Sequence, residues 1–224
     1  MKLQKEIFSD GEGDAYFKRN SASLAWQRVD KDAAVRSLLP LVRSGWQLAE
    51  VGCSTGNRVA TLGELSGGRI AGIDPSASAI AEASGIHPEG DFRVGTADKL
   101  PWSDGSVDVL IYGFCLYLCD RNDLFRIAAE GDRVLRDGGL LVVVDFLPHH
   151  PYRNPYVHLE GIFSYKLDHS RLWSWNPQYI EIARQMYDLK CRYTPADSVY
   201  TPDERVGMVM LKKQVKDAYP ICNF

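Results

Sequence analysis

Residues 48–56 read LAEVGCSTG, an apolar run with one acidic residue that leads into two glycines four positions apart. The stretch 46–51 predicts the first β-strand, and a helix is predicted to begin near Asn57. A glycine directly after a strand lets the backbone turn tightly and lets a ligand approach it. The start of the following helix offers free N–H groups to an anionic group. The stretch therefore predicts a strand–turn–helix unit that binds a ligand.

Apolar runs and helix-like stretches alternate outward from this unit. Strands are predicted at residues 69–73, 91–95, 107–112 and 140–146, and helices at residues 23–39, 57–67, 76–84 and 123–136. Pro40 is suited to stop the first helix, and the glycine pair at 67–68 is suited to end the second. Such alternation is typical of βαβ units and of a mostly parallel sheet covered by helices on both faces.

The amino-acid composition changes after Phe146. Residues 148–177 are rich in proline, histidine and aromatic residues, and a connection this long is usually functional or a small subdomain. Residues 178–188 predict a helix, and residues 189–194 and 206–212 predict a closing hairpin. We therefore expect one domain, 1–224, with an α/β, doubly wound, mostly parallel seven-stranded sheet, a C-terminal antiparallel hairpin and an insert after the fifth strand.

Composition and charge narrow the class of protein. The 224 residues include 26 Lys and Arg against 29 Asp and Glu, a net charge of −3 without a basic run, which disfavours nucleic acid or an anionic membrane as partner. No apolar stretch has the length of a signal peptide or a membrane span. The five cysteines are odd in number, and Cys115 and Cys119 lack a second pair at metal spacing. We expect a cytoplasmic protein with reduced thiols and no bound metal; the sequence does not indicate the oligomeric state.

One further residue and three further segments extend the ligand-binding pattern. Asp74 ends the second predicted strand about twenty residues after the glycine turn, where a carboxylate can accept both hydroxyls of a ribose. Residues 95–102, GTADKLPW, follow the third strand, and 106–111, SVDVLI, form the fourth. Residues 133–139, RVLRDGG, lead into the fifth strand.

In this order the segments resemble class I (Rossmann-like) methyltransferases that use S-adenosylmethionine (SAM), over residues 46–146. Two positions depart from the usual family pattern: the middle glycine is Ser54, and the acid that most often contacts adenine is Thr96. Asp98 is close enough to take over that contact. The resemblance implies SAM as cofactor and the following cofactor-binding residues: Glu50, Gly52, Cys53, Ser54, Gly56, Asp74, Pro75, Thr96, Ala97, Asp98 and Phe114.

Residues at both ends of this region are candidates for closing the site and for catalysis. Residues 1–22 are expected to fold over SAM as a lid, with Tyr16 and Arg19 reaching its carboxylate or the substrate; a solvated tail is the alternative. Phe114 or Tyr117 could line the sulfonium pocket or simply pack, since aromatic faces attract cations.

Asp145, His149 and His150 lie at or just beyond the end of the fifth strand. A histidine there is a candidate general base, with a surface or capping role as the alternative. Methyl transfer can also proceed by proximity alone, without a base. In the insert 148–177, expected to shape the acceptor pocket, the aromatic residues either form a substrate lid or pack as a core; they are Tyr165, Trp173 and Trp175.

The function implied by the resemblance is methyl transfer from SAM to an oxygen or nitrogen of a small molecule, such as a metabolite, sugar or natural-product intermediate. No Asn-Pro-Pro-Tyr-like segment follows the fourth strand, which with the acidic balance favours a small acceptor. A nicotinamide-dependent oxidoreductase is one alternative, although the turn reads GCSTGN rather than G-x-G-x-x-G. A non-catalytic SAM-binding subunit is the other, although the cofactor loops are intact.

Overall fold

A computed structural model describes residues 2–25, 32–189, 201–216, 218–219 and 221. The strands are β1 (Gln47–Val51), β2 (Arg69–Asp74), β3 (Asp91–Val94), β4 (Val107–Gly113), β5 (Leu135–Phe146), β6 (Tyr152–Pro155), β7 (Phe163–Lys166), β8 (Tyr179–Asp188) and β9 (Arg205–Lys213). The helices are α1 (Gln4–Ile7), α2 (Gly13–Ala25), α3 (Ala33–Leu38), α4 (Asn57–Ser66), α5 (Ala77–Ile86), α6 (Leu124–Val134) and α7 (Arg171–Ser174).

The main sheet has seven strands in the order β3-β2-β1-β4-β5-β9-β8. The first five strands run parallel, and β9 is antiparallel to both β5 and β8. This confirms the predicted doubly wound sheet with a C-terminal antiparallel hairpin. The strand order reverses between β1 and β4, and ligands bind at such switch points, beyond the carboxyl ends of the strands.

The central strands are buried on both faces, which explains their nearly continuous apolar sequences. In β1, Leu48 packs into one core cluster and Ala49 and Val51 pack into the other, because successive side chains point to opposite faces. Tyr112 of β4 is fully buried. The sheet is therefore a rigid support for the loops at its carboxyl edge.

The helix ends that the sequence predicts are confirmed around the glycine turn. Gly56, with φ 73°, precedes α4, and Gly67, also with φ 73°, ends it. The side chain of Ser76 accepts a hydrogen bond from the backbone N–H of Ala79 at 3.0 Å and so caps α5. These caps fix the start of each helix at the carboxyl edge of the sheet.

The prediction of a helix over 178–188 is wrong, since these residues form the edge strand β8. Tyr179 and Tyr187 are buried while most residues between them face solvent, and pairing with β9 satisfies the backbone. The closing hairpin is thus β8 with β9 rather than 189–194 with 206–212; residues 190–200 lie outside the described part of the chain.

The N-terminal third also differs from the predicted single helix at 23–39. α2 begins at Gly13 and is described as far as Ala25, α3 covers Ala33–Leu38, and residues 26–31 lie outside the described residues. The polar segment before α2 is largely helical too, with a kinked turn at Phe8–Glu12 between α1 and α2, where Gly11 has a φ of 138°.

The insert 148–177 forms a two-stranded ribbon, β6 with β7, followed by α7. Trp173 is buried: its ring lies 5.0 Å from that of Tyr112, and its indole N–H donates to the carbonyl of Ala128 at 3.1 Å. Trp175, by contrast, is 72% exposed. Across the described residues, no helix combines the length and apolar character required to cross a membrane.

Candidate active site

An open cleft of about 1030 Å³, including the part that opens to solvent, lies at the carboxyl ends of β1, β2 and β4. Its floor is formed by Gly52, Ser54, Gly113, Phe114 and Cys115. One side of the cleft is formed by residues that follow β2 and β3, namely Asp74, Pro75, Gly95, Thr96, Ala97 and Asp98. The N-terminal helices cover the cleft with Lys5, Phe8, Gly13, Tyr16 and Phe17, and these helices are called the cover below.

The two glycines of the turn have different roles. Gly52 has φ 74°, and a Cβ there would lie 2.6 Å from the Cβ of Cys115, so only glycine leaves the floor open. Gly56 does not line the cleft; a Cβ at this position would lie 2.6 Å from the ring of Phe92. Cys53 is likewise buried outside the lining. Gly52 thus exposes backbone to a ligand, while Gly56 lets α4 pack on the sheet.

Asp74 faces the cleft beside the glycine turn. Its two oxygens accept hydrogen bonds from the backbone N–H groups of Ser54 and Ser76, both at 2.9 Å. Burial raises the pKa of Asp74, and these two hydrogen bonds oppose that effect. Each carboxylate oxygen keeps a further lone pair, so the group can accept two hydroxyls of a diol such as a ribose.

A second carboxylate, Asp98, lies on the side of the cleft formed after β3, next to Thr96 and Ala97. The ammonium of Lys5 lies 2.6 Å from Asp98 and 2.7 Å from Asp123. Burial disfavours the charged form of Asp98, but hydrogen bonds from Lys5 and Thr96 outweigh it and hold the pKa of Asp98 below its usual value. Lys5 therefore joins the cover to this side of the cleft.

Glu50 lies behind the cleft and is only 1% exposed. One carboxylate oxygen pairs with Arg58, whose Nε lies 3.2 Å from Asp32. The other oxygen, Oε2, has no hydrogen-bond partner among the described residues. Burial raises the pKa of Glu50 to about 7, against the opposing charge of Arg58.

The cover is docked by hydrogen bonds that the sequence did not reveal. Asp120, in the segment after β4, accepts the backbone N–H groups of Gln4 and Lys5, both at 3.0 Å. Asp14, at the start of α2, accepts from the hydroxyl of Ser76 at 2.6 Å and from a backbone N–H of α5. The two aspartates after the fourth strand, Asp120 and Asp123, were the available signal for such a dock.

The two N-terminal candidates, Tyr16 and Arg19, lie in different places relative to the cleft. Tyr16 lines the cleft, and its hydroxyl lies 3.1 Å from that of Tyr117. Arg19 is not among the cleft residues; it pairs with Glu12, and its guanidinium donates to the hydroxyl of Tyr156 at 2.8 Å.

The three candidate bases do not line the described cleft. Asp145 is 3% exposed and accepts the backbone N–H groups of Phe146 at 2.7 Å and Tyr117 at 3.2 Å, and burial raises its pKa to about 7. His149 is exposed, with Nε2 2.9 Å from Arg205, and His150 is exposed. Within the described part of the chain, no group of three His, Cys, Asp or Glu side chains is placed to hold a metal ion.

Comparison with known proteins identifies the domain type. Residues 49–143 match a family model described as a methyltransferase domain. Over 126 residues the chain is 33% identical to the ubiquinone/menaquinone biosynthesis C-methyltransferase UbiE of Rubrivivax gelatinosus. The aligned region covers 55% of this chain and 48% of that protein. Over 130 residues it is 28% identical to a demethylmenaquinone methyltransferase of Chlorobaculum parvum, covering 53% of this chain and 52% of that protein.

The chain therefore spans about half the length of these curated relatives. Among solved structures, a SAM-dependent methyltransferase from Methanosarcina mazei aligns with a TM-score of 0.63 at 17% identity, covering 83% of this chain and 99% of that one. At this level of identity the likeness shows the fold.

Proposed function

We propose that this chain, whose residues 49–143 match a methyltransferase domain and whose fold resembles a SAM-dependent methyltransferase, transfers a methyl group from SAM to an oxygen or nitrogen of a small-molecule acceptor. The placement of Asp74 beside the open glycine turn carries the proposal, with Asp98 on the adjoining side of the same cleft. The two carboxylates suit a nucleoside, and the open glycine turn beside Asp74 leaves room for an amino-acid end.

The described residues fit SAM part by part. Asp74 suits the ribose hydroxyls, and Thr96, Ala97 and Asp98 suit the edge of the adenine ring. Gly52 leaves backbone open at the amino-acid end. Glu50 keeps a buried oxygen without a partner nearby, the kind of group that a cationic ammonium can compensate.

When bound, SAM supplies a methyl group already activated on a sulfonium, so the protein mainly has to orient the acceptor and keep water out. Held by these residues, SAM would supply the methyl carbon for an in-line displacement in which a lone pair of the acceptor forms the new bond and the carbon–sulfur bond breaks with its electrons on sulfur. The acceptor proton would leave to bulk solvent after transfer. Phe8, Tyr16 and Phe17 provide the apolar cover over this step.

We assign residues 1–22 as the lid of this cleft, supported by the docking of α1 on Asp120 and of α2 on α5. The insert 148–177 is proposed to shape the acceptor pocket from behind. In support, Arg121 lies over the ring of Tyr165 at 4.4 Å and donates to the carbonyls of Leu116 and Cys119 at 2.8 and 2.6 Å. The insert thereby steadies the turn after β4, which contributes Leu118 and Cys119 to the cleft.

The acceptor atom has a competing assignment. The relative from Rubrivivax gelatinosus is named a C-methyltransferase of quinone biosynthesis, so carbon is the alternative to oxygen or nitrogen. An activated ring carbon and a phenolic oxygen can occur in one molecule. Mass spectrometry of the product, with fragmentation that locates the methyl group, distinguishes them.

The experiment that tests the proposal is calorimetric titration of the protein with S-adenosylhomocysteine, the product form of the cofactor. We expect micromolar binding that Asp74→Ala abolishes. Glu82→Gln, on the exposed surface of α5, is the matched control and should bind normally. A protein that ignores S-adenosylhomocysteine but changes the fluorescence of NADH would instead be the oxidoreductase. Tight cofactor binding without transfer to a broad acceptor panel would favour the non-catalytic subunit.

A further inference from the structure

Two tyrosine hydroxyls meet where the cover rests on the end of the sheet: Tyr16 lines the cleft, and Tyr117 lies buried directly behind it. Tyr16 belongs to α2, in the cover, and Tyr117 belongs to the 3₁₀ turn Leu116–Leu118 that follows β4. Their oxygens lie 3.1 Å apart although the residues are 101 positions apart in sequence. The bond is therefore a tertiary contact between the cover and the end of the sheet.

The pair lies over β4 and β5, away from the carboxylate that suits the ribose at the end of β2. The ring of Tyr117 packs edge-on against Phe146, the last residue of β5, at 5.0 Å, and Phe114 does the same at 5.9 Å. Since the glycine turn and Asp74 take the β1 and β2 side, an acceptor has to approach from this aromatic side.

The other charged side chains at the cover already have partners. Lys5 pairs with Asp98 and Asp123, and Asp120 accepts the backbone of α1. Lys5 is the one cation that the described residues place in the lining. An anionic acceptor would thus find no free positive charge among the described groups of the cleft.

The thiols of the floor are weak hydrogen-bonding groups. Burial raises the pKa of Cys115, and it raises the pKa of Cys119 to about 12, so both stay neutral thiols. This leaves the tyrosine pair as the strong neutral hydrogen-bonding group on the acceptor side of the described cleft.

The chemistry of the pair leaves one donor available. Two hydroxyls carry two hydrogens, and their mutual bond uses one of them. Burial raises the pKa of both Tyr16 and Tyr117, so both keep their protons at neutral pH and act as donors rather than bases.

We propose that Tyr16 and Tyr117 together form the acceptor-binding site, which selects an uncharged, largely apolar molecule with a hydroxyl or carbonyl oxygen near the atom that receives the methyl group. Tyr117 holds Tyr16, and the free hydroxyl hydrogen is donated to the acceptor oxygen. Both are positioning residues and neither takes a proton. The assignment rests on the proposed methyl transfer.

The test uses the full chain saturated with S-adenosylhomocysteine and two probes that differ by one hydroxyl, 1-naphthol and naphthalene. Fluorescence titration of the wild type should show roughly fivefold tighter binding of 1-naphthol, the worth of one hydrogen bond. Tyr16→Phe and Tyr117→Phe should each remove this preference while leaving the affinities for naphthalene and for S-adenosylhomocysteine within about twofold, since no apolar contact is lost.

Tyr152→Phe is the matched control, because Tyr152 lies on the insert, outside the cleft lining, and its hydroxyl donates to Asp203. Tyr152→Phe should keep the preference for 1-naphthol over naphthalene. Equal binding of the two probes by the wild type, absence of 1-naphthol binding, or a preference that survives in either cleft variant overturns the assignment. If S-adenosylhomocysteine binds normally in these cases, the cofactor site of the proposed function stands and the acceptor site is wrong; if it does not bind, both fall.

Discussion

Glu50 and Arg58 form an ion pair directly beneath Gly113, where a side chain on Gly113 would collide with both of them. The pair connects the first strand, the first helix after the glycine turn and the end of β4. Arg58 also reaches Asp32, whose carboxylate accepts the backbone N–H of Ala34 at 2.9 Å and caps α3. One buried charge cluster thus supports the floor of the cleft.

Removal of Arg58 should destabilise the fold strongly. Arg58→Met leaves the Glu50 carboxylate buried without its cation, and such a loss costs about 3–5 kcal/mol. The double variant with Glu50→Gln should be less destabilised, because Asp32 is then the one former partner of Arg58 that keeps a buried charge. Urea unfolding at pH 8 measures both. Arg93→Met breaks an exposed pair with Asp91 and should cost no more than about 1 kcal/mol; equal losses for Arg58 and Arg93 would contradict the prediction.

Asp145 should give the folded protein a distinct pH dependence. Its pKa is raised from 3.8 to about 7 by burial, so the fold binds its proton more tightly than the unfolded chain does. The stability that this proton contributes is present in full below the unfolded pKa and is lost as the pH rises through about 7.

Between pH 5 and pH 8 the free energy of unfolding of the wild type should fall by about 2–3 kcal/mol more than that of Asp145→Asn, as measured by urea unfolding at each pH. The buried His169, whose pKa is lowered to about 3, contributes in the opposite direction. Because its Nδ1 lies 3.9 Å from Asp145, the two proteins are also compared in a His169→Gln background. Parallel pH profiles for the two proteins would mean that Asp145 is ionised throughout.

Lys5 should control how firmly the cover closes. Lys5→Met removes the contacts to Asp98 and Asp123, so we expect about three- to tenfold weaker binding of S-adenosylhomocysteine. Limited proteolysis should cleave the first twenty residues faster in this variant. Lys2→Met is the control, since Lys2 pairs with Asp10 on the exposed surface and should change neither measurement. Unaltered affinity and proteolysis in Lys5→Met would remove the lid assignment.

Gly52 should tolerate no side chain. Gly52 and Gly45 both have positive φ, 74° and 81°, so alanine at either position costs about 1–2 kcal/mol from backbone strain. A Cβ at Gly45 meets nothing within 4 Å, whereas one at Gly52 collides with Cys115, which adds about 1–3 kcal/mol. Thermal unfolding compares the two variants, and only Gly52→Ala should also lose S-adenosylhomocysteine binding. Similar behaviour of both would show that the floor adapts.

The sequence predicted those features well that depend on interactions between residues close together in the chain. The glycine turn at 52–56, the cap at Ser76 and the apolar strands up to Phe146 all depend on neighbours within a few residues. The edge strand β8 was mistaken for a helix because its identity depends on pairing with β9, which no local pattern encodes.

By itself, the sequence predicted the doubly wound sheet, the resemblance to class I methyltransferases and a carboxylate, Asp74, at the end of β2, because short-range periodicity and motif spacing carry these features. Only the tertiary structure decided that Glu50 pairs with Arg58, that Asp145, His149 and His150 lie outside the described cleft lining, and that Tyr16 meets Tyr117. These outcomes depend on contacts between residues far apart in the chain and on burial. Burial changes the pKa and the partner of a side chain, and the adjacent residues in the sequence do not indicate it.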